Sequence, residues 1–190
     1  MFRQLTRICQ VGIVSEPTPC GRGPALDLLG PRLEDAVSRI FHGSLAIRQV
    51  DAGSCNGCEL EIQALSNPYY AIERYGIHFV ASPRHADLLL VTGPVSRHMQ
   101  TALRLAYEAM PEPKRVLAVG HCGADGGEFG VSYASCGAVH RVIPVDGVIR
   151  GCPPSPAVLV QGILELIDPA LLQVPAPDPD SDPPASREGL

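Results

Sequence analysis

Short apolar segments alternating with helical ones predict an α/β fold, a mostly parallel sheet covered by helices on both faces. Three observations carry this. The segments "LLLV" at 88–91 and "RVLAVG" at 115–120 are near-continuously apolar, as strands buried on both sides are. Met99, Leu103, Ala106 and Met110 form one apolar stripe at helical spacing between them. Strand-like and helix-like segments then alternate from about residue 44 to 168, the signature of crossover connections.

Taken in order, "SLAIRQV" (44–50) reads as the first strand and "CNGC" as the turn after it, leading into a helix from about Glu59 to Leu65. "IHFVAS" (77–82) is a short strand and "ADLLLVTG" (86–93) a buried one. A helix fills "RHMQTALRLAYEAM" (97–110), and "RVLAVG" follows as a strand. "HRVIPVDGVI" (140–149) is expected to supply the last strand. "SPAVLVQGILELI" (155–167) closes the pattern as a helix, with Ser155 at the N-cap and Pro156 in its first position. These segments define a domain over residues 44–172. Residues 1–43 precede it as an irregular segment, Gly- and Pro-rich over its first thirty residues. A short amphipathic helix follows Pro31, with Leu33, Val37, Ile40 and Phe41 on one face. Residues 173–190 alternate proline with acidic and small residues, and are expected to be a disordered tail.

Composition narrows function. The net charge of −5 argues against a nucleic-acid partner. No apolar run approaches the ~18 residues of a membrane span, and "MFRQLTRICQVGIV" lacks a secretory signal's uninterrupted apolar stretch. The expected location is therefore the cytoplasm, or a cytoplasmic membrane face reached through a partner. In a reducing compartment the seven cysteines are core residues, ligands or catalytic groups rather than a disulfide framework.

Ligands in open parallel sheets bind beyond the carboxyl ends of the strands. Cys55 and Cys58 follow the first strand, Cys122 follows the strand 115–120, and Cys152 follows the last strand. Each has a glycine or proline neighbour (Gly57, Gly123, Gly151, Pro153), which admits close backbone approach and amides aimed at a negative centre. Several chemistries suit these thiols. Four thiolates satisfy tetrahedral zinc, although structural zinc sites favour two local pairs and only the first pair is local here. A thioredoxin-like dithiol needs only Cys55 and Cys58 and leaves Cys122 and Cys152 unexplained. An iron–sulfur cluster draws cysteines from several loops. Each could also be a small buried hydrophobe, the reading that fits Cys9, Cys20 and Cys136 better.

Resemblance adds to this. "SCNGCE", "FVASPRHADLLLVTGPVSRHM", "MPEPKRVLAVGHCGADGG" and "VIPVDGVIRGCPPSP" resemble, in order, the small iron–sulfur subunit shared by membrane-bound energy-converting nickel–iron hydrogenases and respiratory complex I. The resemblance covers about residues 45 to 168. It implies a flavodoxin-like fold and one 4Fe–4S cluster on Cys55, Cys58, Cys122 and Cys152, with Cys136 outside the ligand set. It implies an electron-transfer subunit without catalytic residues of its own. Its partners would be a large nickel–iron hydrogenase-like subunit, a ferredoxin-like iron–sulfur subunit, and membrane subunits reached through the complex. Its place would be peripheral, on the cytoplasmic face of the inner membrane. The complex I branch resembles a tandem Cys-Cys at the first ligand position. The CxxC spacing here resembles the hydrogenase branch, including formate hydrogenlyase-type complexes. A quinone-reducing complex I-type subunit is the alternative, and a zinc-stabilised interaction domain a further one.

Three other residues have two readings each. His121 could bond a cluster sulfur or be a solvated loop histidine. Glu59 could relay protons to a partner's metal centre or be a first-turn acid favoured by the helix dipole. Arg84 could contact a partner or cap a surface turn. "GADGGEFG" superficially resembles a phosphate-binding loop, but it follows a cysteine and lacks the spacing, so no nickel, NAD or flavin site is expected.

Overall fold

A computed structural model of the chain describes residues 24–168; the proposed tail and most of the N-terminal segment, with Cys9 and Cys20, lie outside the described residues. Five strands form one parallel sheet: β1 (Leu45–Asp51), β2 (Ile77–Phe79), β3 (Leu88–Thr92), β5 (Arg115–Val119) and β7 (Gly147–Ile149). Their order is β2-β1-β3-β5-β7, all neighbours parallel. Thus β1 meets β3 with Ile47 opposite Leu88, and β3 meets β5 with Leu88 opposite Arg115. A separate antiparallel ribbon joins β4 (Val95–Ser96) to β6 (Ser135–Gly137).

The helices divide between the faces. One face carries α1 (Pro24–Phe41), α2 (Gly57–Ala64) and α5 (Pro156–Ile167), over a core that includes Leu33, Ile47, Ile62, Leu90, Leu117 and Ile163. The other carries α3 (Met99–Ala109), over Leu89, Val91, Leu103, Met110, Val116 and Val139. Every residue of β3 is buried, which is why its sequence shows no alternation. In α3, Leu103 and Met110 are buried and Met99 and Ala106 pack beside them, so the predicted stripe faces the core. Short α4 (Gly120–Asp125) begins directly at the end of β5.

Besides α4 and the β4–β6 ribbon, which the sequence reading does not contain, the structure differs from it in three places. The first helix starts at Pro24 and runs through Pro31, where an irregular segment was expected. Packing overrides propensity here, because Leu33, Ala36 and Val37 bury in the core; Gly30 leaves room for the Tyr75 ring, whose Cζ would lie 2.5 Å from a Cβ at 30. Leu33 and Val37 face the core as expected, whereas Ile40 stays 39% exposed. The last strand is three residues long. The preceding Val139–Arg141 is a 3-10 turn, because Val139 and Ile143 both anchor in the core while Pro144 cannot donate to a ladder. Ser155 does occupy the N-cap of α5, but its backbone carbonyl receives Leu159 N–H (3.0 Å) and its hydroxyl makes no cap bond.

The amino edge of the sheet is closed by one device used twice. Asp87, just before β3, donates its N–H to Ala46 O (2.8 Å) while its Oδ2 accepts Ala46 N–H (2.9 Å). Asp146, just before β7, does the same with Val116, at 2.9 and 2.7 Å. Each carboxylate thereby satisfies an amide at the start of a neighbouring strand. Asp87→Ala or Asp146→Ala should each lower stability by about 1 to 2 kcal/mol. Urea denaturation followed by circular dichroism checks this, and unchanged midpoints in both variants would contradict it.

Candidate metal centre

The site is built from four loops at the carboxyl edge. After β1, Asp51 Oδ1 accepts the N–H groups of Gly53 and Ser54, both at 2.8 Å. Burial opposes ionisation of Asp51, but the Ser54 and Gly53 hydrogen bonds outweigh it and hold the carboxyl below its ordinary range. Ser54 Oγ then accepts Asn56 N–H (3.1 Å), and Asn56 turns left-handed at φ 71° before α2 begins at Gly57. The turn leaves Cys55 exposed and sets Cys58 half-buried in the first turn of the helix, against the core. Beneath it runs the loop after β3: a Cβ on Gly93 would lie 2.7 Å from Ser54 N.

The loops after β5 and β7 complete the site. His121 N–H donates to Gly151 O (2.9 Å), joining the Cys122 loop to the Cys152 loop. Arg150 Nη1 pairs with Asp125 Oδ2 (3.3 Å) across the same two loops. The Gly127 amide (2.9 Å) and Arg150 together hold the Asp125 carboxyl below its ordinary range. Pro153 lies 3.8 Å from the position of a Cβ on Gly57, and Cys55 Sγ lies 3.5 Å from it, so the loop bearing Cys152 abuts the CxxC turn.

Two glycines cradle the sulfurs. Gly120 (φ 79°) has space for a Cβ only at 2.8 Å from Cys58 Sγ, and Gly127 (φ 50°) only at 2.8 Å from Cys122 Sγ. Any side chain at either position would meet a thiol and demand a disfavoured backbone.

The four thiols also act on one another electrostatically. Burial, then Glu59, Cys55, Cys122 and Cys152, push the Cys58 thiol up to about 12. Burial, Cys152, Cys55 and Asp125 raise that of Cys122. Among the described residues, no three His, Cys, Asp or Glu side chains converge closely enough to hold a single metal ion. Four cysteine thiols on the loops of one sheet edge, two of them against glycines, are a donor set that suits a polynuclear group.

Other candidates separate from this centre. Cys136, on β6, packs half-buried against the α3 core. His121 is exposed. Arg84 is exposed in the turn Pro83–His85, where Ser82 Oγ accepts its N–H (3.4 Å). Glu59 is 5% exposed, and neither carboxylate oxygen has a hydrogen-bond partner among the described residues. The sequence reading missed Asp51 and the two cradling glycines. Their letters stand in "VDAGSC" and "AVGHCGADGG", but which glycine lies against which sulfur depends on the fold.

Three comparisons bear on this geometry. Residues 55–166 match the family described as the 20 kDa subunit of NADH ubiquinone oxidoreductase. The chain is 43% identical over 136 residues to the "Probable membrane-bound hydrogenase subunit mbhJ" of Pyrococcus furiosus, covering 70% of this chain and 81% of that one. It is 45% identical over 119 residues to formate hydrogenlyase subunit 7 of Escherichia coli, covering 63% of this chain and 47% of the relative, about half its length. A chain in the solved structure of an archaeal respiratory membrane complex, the membrane-bound sulfane sulfur reductase, superposes with a TM-score of 0.58 at 34% identity. That match covers 71% of this chain and 75% of the other. These relatives are components of oxidoreductase complexes, and no described helix of this chain is long and apolar enough to cross a membrane. With well over half its length matched, the chain belongs to the family of the 20 kDa NADH ubiquinone oxidoreductase subunit.

Proposed function

We propose that this chain is an electron-relay subunit of a membrane-associated hydrogenase complex, holding one 4Fe–4S cluster on Cys55, Cys58, Cys122 and Cys152. What supports this is the placing of Cys55, Cys58, Cys122 and Cys152 on loops beyond three strand ends at one sheet edge, with Gly120 and Gly127 leaving room against two of the sulfurs. A cluster so bound supplies one-electron transfer. The chain's own residues do the rest. Asp51 and Ser54 fix the CxxC turn. The His121 amide and the Asp125–Arg150 pair hold the other two loops together. Half-burial of Cys58 sets one side of the site against the core, while Cys55 and Cys152 open towards solvent or a partner.

A partner surface adjoins the centre. Phe129, Val131 and Tyr133 follow Cys122 and are 60%, 55% and 97% exposed. Apolar groups this open, beside a redox site, suit burial against another subunit. In this reading the occupant is the large nickel–iron hydrogenase-like subunit, with a ferredoxin-like subunit and membrane subunits completing a complex on the cytoplasmic membrane face. The chemistry at the far end belongs to the large subunit. The 20 kDa family match favours one other reading, the same relay in a quinone-reducing complex I-type assembly. Sequencing of the large subunit that copurifies separates the two, since nickel–iron chemistry requires cysteine ligands there.

Iron and acid-labile sulfide analysis, with EPR of the reduced complex, tests the assignment. Cys152→Ser should lose most of the iron and Cys136→Ser should keep it. Equal loss in both, or stoichiometric zinc without iron, would overturn the ligand set. Gly120→Ala or Gly127→Ala should also reduce cluster occupancy severalfold while leaving the circular dichroism spectrum near wild type; full occupancy in both would contradict the cradle. In the metal-free chain near pH 8, Cys58, pushed up to about 12, should alkylate most slowly of the four thiols. Mass spectrometry of iodoacetamide-treated protein reads this, and preferential labelling of Cys58 would refute it.

A further inference from the structure

A carboxylate removed from water is ordinarily paired or hydrogen-bonded. Glu59 departs from that rule. It is 5% exposed, and neither of its oxygens has a hydrogen-bond partner among the described residues. The only other buried carboxylate among them, Asp168 at the C-cap of α5, pairs with Arg39.

The position of Glu59 ties it to the thiols. It follows Cys58 directly in the first turn of α2, where the Cys58 side chain packs against the core. Burial raises the Cys58 thiol most, and Glu59 raises it more than any of the other three cysteines does. The other carboxylates of the centre are placed differently. Asp51 and Asp125 are exposed, so water and salt screen them, and Asp125 is paired with Arg150. Among the described residues Glu59 is the one carboxylate of the centre that is shielded from solvent and has no counter-charge. A charge in a poorly polarisable interior acts more strongly on its neighbours than the same charge in water.

We propose that Glu59 sets the reduction potential of the cluster held on these thiols and keeps it low. The inference rests on the cluster reading above and adds a tuning residue to it. Uptake of an electron adds one negative charge beside the thiolates, and net charge is one of the factors that fix such a potential. A fixed carboxylate next to Cys58 makes that uptake less favourable. In the relay the ferredoxin-like subunit gives up one electron and the large subunit takes it, while Glu59 is neither oxidised nor reduced. The residue thereby biases the site towards low-potential partners.

An EPR-monitored redox titration of the purified complex at one fixed pH tests this. Glu59→Gln keeps the shape of the side chain and removes its charge. At a given applied potential it should raise the ratio of reduced to oxidised cluster about tenfold, an upward midpoint shift of about 59 mV for a one-electron couple. Glu59→Met, neutral and of similar length, should shift the midpoint in the same direction, and Glu59→Asp should stay near wild type. Glu108→Gln, exposed on α3, should leave it unchanged. An unchanged or lowered midpoint in either neutral variant that keeps its iron would overturn the proposal, as would an Asp variant shifted as far as the Gln variant. Loss of iron from both neutral variants would make Glu59 a structural residue and overturn it as well. A wild-type complex without iron would instead sink the cluster reading on which the proposal rests.

Discussion

The constraint on which the structure depends is the gathering of four thiols at one edge of a sheet. Ionised together they repel, and burial with the nearby Glu59 and cysteines pushes the half-buried Cys58 thiol up. Strands cannot deliver such a set, since their side chains alternate between faces. Loops beyond the carboxyl ends of parallel strands can, because β1, β5 and β7 all point to one edge and each ends in a turn containing glycine. The fold thus concentrates the thiols, and the energy for holding them lies elsewhere, in the buried strand β3 and the helical layers on both sides.

The two edges of the sheet are consequently built differently. At the amino edge, Asp87 and Asp146 clamp neighbouring strands with paired hydrogen bonds. At the carboxyl edge, carboxylates serve loops: Asp51 shapes the CxxC turn, and Asp125 ties the Cys122 loop to the Cys152 loop through Arg150. The same residue type closes one edge and shapes the other. Stability and function are therefore separable along the strand axis, and substitutions at the two ends affect different measurements.

Most of this architecture is legible in the sequence. Continuous apolarity identifies β3 and β5, the stripe through Leu103 and Met110 identifies α3, and Pro156 marks the start of α5. Whatever rests on long-range packing is not legible. Pro31 argues locally against the helix that contains it, whereas the burial of Leu33, Ala36 and Val37 against the sheet, which favours the helix, is set by long-range packing. The β4–β6 ribbon is too short to show a period. At the site, cysteine spacing identifies which residues gather, because ligand chemistry requires that residue type. It cannot identify Gly120 as the residue beneath Cys58, because the two are brought together only by the pairing of β1, β3 and β5.

The central claim is that the four gathered thiols bind one polynuclear iron–sulfur group rather than a single ion or nothing. Mössbauer spectroscopy of the iron-57-enriched complex, with native mass spectrometry of the full-length chain, tests it most directly. The account predicts one 4Fe–4S unit per chain, coordinated entirely by thiolate and abolished when Cys55, Cys58, Cys122 or Cys152 is replaced. A chain that carries one zinc, or that binds iron equally well without Cys122 and Cys152, would contradict it.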